Sequence, residues 1–163
     1  MNPISMLALL FAQVSADPSA ALFDAIRRGD GARVREILGE HPDAARARNA
    51  DGATAALWAA YTRHPDLAEI VLGTREPDFF EACALGRKER AAVLLKADPA
   101  AAKAHSADGF SGLGLAIFFG HDAIARMLVD AGADVNAPSR NAIRVSPLHS
   151  ATAAGSEAMV DLL

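Results

Sequence analysis

Five histidines and one cysteine are the residues of this chain best suited to metal or nucleophilic chemistry. A zinc site draws its ligands together, often from histidines one helical turn apart or from paired cysteines. No two histidines here stand four residues apart, and no carboxylate stands at metal-ligand spacing from one. We therefore predict no metal site, and structural roles for His41, His64, His105, His121 and His149.

The single cysteine, Cys83, can form neither an internal disulfide nor a cysteine-based zinc site. A nucleophilic thiol needs a neighbouring base and an activating environment, and no local motif supplies them. Glycines also cluster at 109–114, but no strand is predicted before them, as a dinucleotide-binding loop requires. We expect Cys83 to be a small buried hydrophobic residue, and the chain to have no catalytic residue and no cofactor.

The elements that position these residues are predicted to be helices. The 163 residues are rich in alanine, and aromatic residues make up 6%. Such a composition favours closely packed helices over sheet. The net charge is −4, which leaves no excess of positive charge to hold a nucleic-acid backbone.

An internal repeat of 57 residues organises the chain. The segment 22–25 (Leu-Phe-Asp-Ala) recurs as 79–82 (Phe-Phe-Glu-Ala), and Asp51-Gly52 recurs as Asp108-Gly109. Such a period indicates stacked helical units that cannot bury their apolar faces alone. The same offset also relates Gly29 to Gly86, Pro42 to Pro99, Ala59 to Ala116 and His64 to His121.

Each unit divides into two similar halves, and each half contains a small-residue helix, a turn and a second helix that ends in two aliphatic residues. The link after the second half is shortened to 73–78, which leaves no room for a hairpin finger. The turns are predicted at Gly29, Arg63-His64, Gly86, Gly120-His121 and Gly155. The predicted repeats are 20–50, 51–76, 77–107, 108–140 and 141–163.

Several of these segments resemble the ankyrin repeat family. They are 108–111 (Asp-Gly-Phe-Ser), Gly120-His121, 128–137 (Leu-Val-Asp-Ala-Gly-Ala-Asp-Val-Asn-Ala) and 146–149 (Ser-Pro-Leu-His). The resemblance covers about 20–163 and implies an all-α solenoid of about five helix-turn-helix repeats. His149 is expected to bond locally and tie repeats together. The chain stops in the outer helix of the fifth repeat, so we expect that repeat to be truncated. We also expect its open face to continue into further sequence or to be covered by a partner or a second copy.

The resemblance further implies a concave groove lined by hairpin tips and by the residues just before each inter-helix turn. The predicted partner-binding residues are Arg27, Arg28, Tyr61, Thr62, Phe110, Phe118, Phe119, Arg144 and Trp58. Register also places Asp51, Ala53, Asp108 and Val145 at hairpin positions, and Ala84-Leu85 and Ala153-Ala154 at turn positions. Aromatic residues and arginine dominate the energetics of protein interfaces. The alternative is that these rings pack between helices; we favour packing for Trp58 and a partner surface for Phe118 and Phe119.

The first 19 residues form an extension with three interpretations. The apolar run 4–11 precedes a small-residue stretch typical of signal-peptide cleavage, but no basic residue precedes the run. The extension is otherwise a helix that covers the first repeat, or an over-extended gene start. The run is too short to span a bilayer. We expect a cytoplasmic protein, with export as the alternative if residues 1–16 are a signal peptide.

The function predicted from these features is that of a non-catalytic module that binds a protein partner in the groove. One alternative is an exported protective factor or effector, and another is a regulatory domain of a longer multidomain protein. The alanine- and arginine-rich composition suggests a bacterial source.

Overall fold

The computed structural model describes residues 17–163, which form five antiparallel pairs of α-helices. The predicted roles of residues 1–16 lie outside this range. The pairs are α1 Pro18–Arg27 and α2 Gly31–Glu40; α3 Ala55–Tyr61 and α4 Pro65–Leu72; α5 Phe79–Ala84 and α6 Lys88–Ala97; α7 Gly112–Phe118 and α8 Asp122–Asp130; α9 Pro147–Ala154 and α10 Glu157–Val160. Short 3-10 helices follow α2 and α6, at Pro42–Arg46 and Pro99–Lys103. The all-α solenoid predicted from the sequence is confirmed.

The inner helices α1, α3, α5, α7 and α9 stack side by side, and each is backed by its outer partner. Each predicted repeat range holds one helix pair, although α1 begins at Pro18, before the predicted start at residue 20. It begins there because Asp17 caps the helix by accepting the Ser19 N–H at 3.0 Å. None of the helices in 17–163 has the length and apolar character needed to cross a membrane.

Side-chain caps fix where the other inner helices begin. Thr54, Ser111 and Ser146 each accept the N–H three residues on, at the starts of α3, α7 and α9. At α5 the capping is reciprocal: Asp78 accepts the Glu81 N–H, and Glu81 accepts the Asp78 N–H.

The turn inside each helix pair reverses through one residue in the left-handed conformation. All five lie where the repeat register predicts them: Gly29, Arg63, Gly86, Gly120 and Gly155, with φ between 64° and 76°. Four are glycines, which reach this conformation without steric cost. Arg63 is the exception.

A histidine of one repeat packs on the turn glycine of the repeat before it. A methyl group at Gly29 would lie 2.6 Å from a His64 ring carbon, and one at Gly86 would lie 2.7 Å from the equivalent atom of His121. His121 Nε2 is also 3.0 Å from the Ala84 carbonyl oxygen. The predicted structural role of these two histidines is therefore confirmed.

The core divides into two clusters at the short link 73–78. The first contains side chains of α1 to α4, such as Leu22, Ile26 and Val71. The second contains side chains of α5 to α10, such as Leu113 and Met159, and also includes Leu57 from α3. The apolar contacts are therefore continuous within each cluster, and the junction between them depends on additional interactions.

A buried carboxylate supplies the strongest of these interactions. Glu81, at the start of α5, is fully buried. Arg75 of the short link donates to both Glu81 oxygens at 2.7 and 2.9 Å, and the Thr54 hydroxyl donates at 2.8 Å. Burial raises the pKa of Glu81, but the hydrogen bonds from Arg75, Asp78 N–H and Thr54 outweigh it and hold the pKa below the ordinary 4.5. One side chain thus ties the link to α3 and α5.

The glycine and histidine contact can be tested with a matched pair of substitutions. Gly120→Ala adds a methyl group at φ 76° with nothing within 4 Å, so it should cost only the left-handed strain, about 1 kcal/mol of unfolding free energy. Gly29→Ala carries the same strain and also meets His64, so it should cost about 2 to 3 kcal/mol. Urea denaturation measures both, and equal losses would show that His64 yields without cost.

The buried carboxylate can be tested by Glu81→Gln, which leaves Arg75 without a counter-charge and should cost about 3 kcal/mol of unfolding free energy. The control is Asp24→Asn, one 57-residue unit earlier, where the carboxylate pairs with exposed Arg27 and Arg28; its loss of stability should be much smaller than that of Glu81→Gln.

The same pair predicts a pH dependence. Because the folded pKa of Glu81 is depressed, its stabilisation is present above the unfolded pKa and is lost as pH falls through the folded one. The stability gap between wild type and Glu81→Gln should therefore close below about pH 4. A gap that persists under acid would contradict the assignment.

Candidate functional site

Three hairpin loops connect the repeats at one edge of the helix stack. The first is closed by a bridge between Arg48 and Thr54, and the second by the equivalent bridge between His105 and Ser111. The tip of the second is held by Ser106, whose hydroxyl bonds the Phe110 N–H and carbonyl. In the third, Ser139 N–H donates to the Val145 carbonyl at 2.8 Å. The loops therefore hold their shape through their own hydrogen bonds.

The hairpins stack directly on one another because the short link adds no finger between the first two. A methyl group at Gly52 would lie 2.7 Å from the Ala107 carbonyl oxygen, and one at Gly109 would lie 2.9 Å from the Asn141 nitrogen. Asn141 Nδ2 also donates to the Asp108 carbonyl at 2.9 Å. The predicted lack of room for a finger at 73–78 is confirmed, and its consequence is a continuous row of hairpins from the first, third and fourth inter-repeat connections.

Between this row and the inner helices lies a cavity of about 520 Å³, which we call the central groove. Its lining combines aromatic rings, aliphatic side chains and short polar side chains. The lining residues are Asn49, Asp51, Ala53, Trp58, Tyr61, Asp108, Phe110, Gly114, Leu115, Phe118, Asn141, Ala142, Ile143, Val145 and Ser150.

An aromatic cluster forms the floor of the central groove. Tyr61 stacks on Phe119 with ring centroids 5.8 Å apart, and Phe110 lies against Tyr61 at 6.0 Å. The Tyr61 hydroxyl donates to Asp108 Oδ2 at 2.8 Å. Burial, followed by the Asp108 charge, raises the pKa of Tyr61 well above its ordinary value, so the phenol remains a donor. Tyr61 contacts Phe119, which lies two repeats away along the chain.

Phe118 and Phe119, both predicted to face a partner, lie in different surroundings. Phe118 is 49% exposed and lines the central groove. Phe119 is half-buried against Tyr61 and the second core cluster, edge-to-face with Phe118 at 5.0 Å. The two neighbours differ because Phe119 caps the end of α7, where its ring turns back over the stack.

Trp58 packs within the fold, as favoured from the sequence, and also lines the central groove. Its indole N–H donates to the Phe23 carbonyl at 3.1 Å, and its ring lies edge-to-face with Phe23 at 6.4 Å. It packs against the first core cluster and also lines the central groove. The ring is thus a fixed wall of the groove.

The remaining predicted residues lie outside the central groove. Arg27 and Arg28 are exposed on α1, where both pair with Asp24. Thr62 donates its hydroxyl to the Trp58 carbonyl at 2.8 Å. Arg144 is exposed beside the groove, with φ 47°. Their partner-binding roles stay predictions, and the structure does not bring them together with the aromatic cluster.

Several lining residues were missed by the repeat register. Asn49 and Asn141 stand in the hairpins, and Ile143 is 65% exposed at the third. The signal for Asn49 was available, since it stands 57 residues before Ser106 and closes the same kind of loop. Ile143 sits in a longer hairpin without a counterpart in the other units.

In the part of the chain that the structure describes, neither a reactive thiol nor a metal-binding cluster lies at the central groove. Cys83 is fully buried, and burial followed by the nearby Asp78 charge raises its pKa to about 12, so the thiol stays protonated. Within 17–163, no cluster of three or more histidine, cysteine or acidic side chains could hold a metal ion.

His149 is exposed and its Nδ1 lies 2.7 Å from Ser146 Oγ, so its bonding is local and does not tie repeats together.

A comparison with protein-family models matches residues 108–140 to the ankyrin repeat. The match covers α7, α8 and the start of the third hairpin. A comparison with curated proteins finds no match. Ankyrin stacks present extended concave surfaces that bind other proteins.

The Tyr61 contact can be tested by Tyr61→Phe. The change removes a hydrogen bond to a carboxylate and leaves buried Asp108 with fewer donors, so it should cost about 2 kcal/mol of unfolding free energy. Thr62→Val is the matched control, because the Thr62 hydroxyl serves only its own helix; it should cost less than about 1 kcal/mol. Similar losses in urea denaturation would show that Tyr61 acts through packing alone.

Proposed function

Because the chain folds as an all-α solenoid and its residues 108–140 match the ankyrin repeat, we propose that it is a non-catalytic interaction module whose protein partner binds in the central groove. The observation that carries the proposal is an exposed apolar surface at the mouth of a formed cavity. Phe118 is 49% and Ile143 65% exposed, and both line the groove. Large apolar side chains clustered at a concave surface mark binding sites.

The rigidity of the groove supports the same proposal. Trp58 is fixed by its bond to Phe23, and Tyr61 by its bond to Asp108. The hairpins are joined by backbone bonds such as Arg140 N–H to the Gly109 carbonyl at 2.7 Å. A partner therefore meets side chains that are already ordered, which lowers the entropic cost of binding.

A non-catalytic role agrees with the chemistry of the lining. The polar groups in the groove are carboxylates, amides and hydroxyls, with Cys83 outside it and protonated. Asp108 is already engaged by two hydroxyls, from Tyr61 and Ser106. The groove thus offers groups that orient a bound segment, as interface residues do.

The test is Phe118→Ala, with Val93→Ala as the matched control. Val93 is 60% exposed on α6 and is not among the groove-lining residues. Affinity capture from native cells with quantitative mass spectrometry would identify partners, and titration calorimetry would then measure each binary affinity. Phe118→Ala should weaken a groove partner by at least about tenfold, as expected for an aromatic hot spot. Both variants should unfold within about 1 kcal/mol of wild type.

Two results would contradict the proposal. One is that Phe118→Ala retains every partner with unchanged affinity. The other is that Val93→Ala loses the same partners to the same degree as Phe118→Ala. In either case the aromatic mouth of the groove is not the binding surface.

A further inference from the structure

The charged residues that line the central groove are both acidic. They are Asp51, exposed at the tip of the first hairpin, and Asp108, in the second. No lysine, arginine or histidine is among the lining residues. Neither carboxylate forms an ion pair with any residue in the part of the chain that the structure describes.

Asp108 is the more informative of the two, because it is only 5% exposed. Its two oxygens accept hydrogen bonds from neutral donors, the hydroxyls of Tyr61 and Ser106. Burying a carboxylate is costly unless it is paired, and neutral donors offset only part of that cost. A cation that enters the groove would complete the pairing with a charge-assisted interaction.

The aromatic walls of the groove favour the same kind of guest. Trp58, Tyr61 and Phe118 line the cavity with Asp108, so a group seated there contacts ring surface and carboxylate in one place. Aromatic faces attract ammonium and guanidinium groups, and attract them more strongly where water is excluded. The aliphatic stem of arginine or lysine would lie along the apolar part of the lining, with its charged end at the carboxylates.

We propose that the segment bound in the central groove carries a basic side chain, arginine or lysine, which sits between the aromatic walls and the carboxylates of Asp51 and Asp108. This inference rests on the proposed function and deepens it by naming the chemistry of the partner. Charge complementarity carries it: an acidic, aromatic cavity meets a cation on an apolar stem.

The experiment begins with random peptides displayed on phage and selected on the whole protein. Each selected peptide is tested for groove dependence by comparing its binding to wild type and to Phe118→Ala. Groove-dependent peptides are synthesised, and in each the basic residues are replaced one at a time by glutamine. Binding is followed by the fluorescence of Trp58, which is the single tryptophan of the chain and lines the groove.

The expected result has three parts. Arginine or lysine should be enriched in groove-dependent peptides over the unselected library. Replacing one such residue by glutamine should weaken binding by about tenfold or more, as the loss of a buried charge-assisted contact does. Raising the salt concentration should weaken the parent peptide more than its glutamine form.

Protein variants supply the reciprocal test. Asp51→Asn should weaken the basic peptides by about fivefold and Asp108→Asn by about tenfold, with no effect on the glutamine forms. Asp66→Asn, which removes an exposed carboxylate on α4 away from the groove, should bind like wild type. Circular dichroism checks folding, and if Asp108→Asn fails to fold, exposed Asp51→Asn carries the test.

The outcomes separate the two proposals. Groove-dependent peptides without enrichment of basic residues, or with affinities unchanged in Asp51→Asn and Asp108→Asn, would overturn this inference and leave the proposed function standing. Selection that yields no peptide dependent on Phe118 would overturn both. Enrichment of either lysine or arginine, with loss of affinity in the asparagine variants, would support the inference.

Discussion

The buried ion pair of Glu81 with Arg75 is the constraint on which the rest of this structure depends. The short link 73–78 brings no hairpin to the stack, so the junction between the second and third repeats lacks the loop contacts that join the other repeats. Glu81 supplies the contacts that take the place of these loop contacts, because it accepts hydrogen bonds from Arg75, Thr54 and the Asp78 N–H. A buried ion pair adds little net stability against an apolar substitute, whereas removal of one partner is expensive. Its role here is therefore geometric: it joins the short link to Thr54 at the start of α3 and to the start of α5.

That geometry creates the central groove. With no finger between them, the first and second hairpins touch at Gly52 and Ala107, and their tips face one cavity. Tyr61 of the second repeat contacts both Phe119 and Asp108 of the fourth. A regular ankyrin stack would place a hairpin at this point and separate these groups. The groove thus results from an irregularity in the repeat, and the same aromatic contacts that line it also join the two halves of the solenoid.

The sequence predicted the features that recur in each repeat, and it missed the side-chain contacts that join one repeat to another. The 57-residue offset was enough to locate the helix pairs, the left-handed turns and the missing finger, because local capping and turn chemistry set all of them. The orientation of Phe119 could not be predicted in this way, since register makes it equivalent to Leu85 and Thr62 and says nothing of a ring two repeats away. Glu81 was matched to Asp24 by the repeat, yet one carboxylate is buried and the other exposed. The two sites differ in the residue six positions earlier, because Arg75 precedes and pairs with Glu81, whereas Pro18 precedes Asp24.

Some aromatic residues of the groove pack within the fold and others are exposed, and this difference has a consequence for which segments the groove binds. Tyr61, Phe110 and Phe119 are committed to the fold, so they hold their positions whether or not a partner is present. Phe118 and Ile143 are exposed and supply apolar contact that many segments could satisfy. Discrimination among such segments must then come from the polar lining. The two carboxylates both favour one kind of segment and disfavour another. They attract a basic side chain, and they leave an acidic one both repelled and desolvated. Asp108 is buried and held by Tyr61 and Ser106, so it cannot move aside for an acidic guest, and the constraint that begins at Glu81 extends to what the groove rejects.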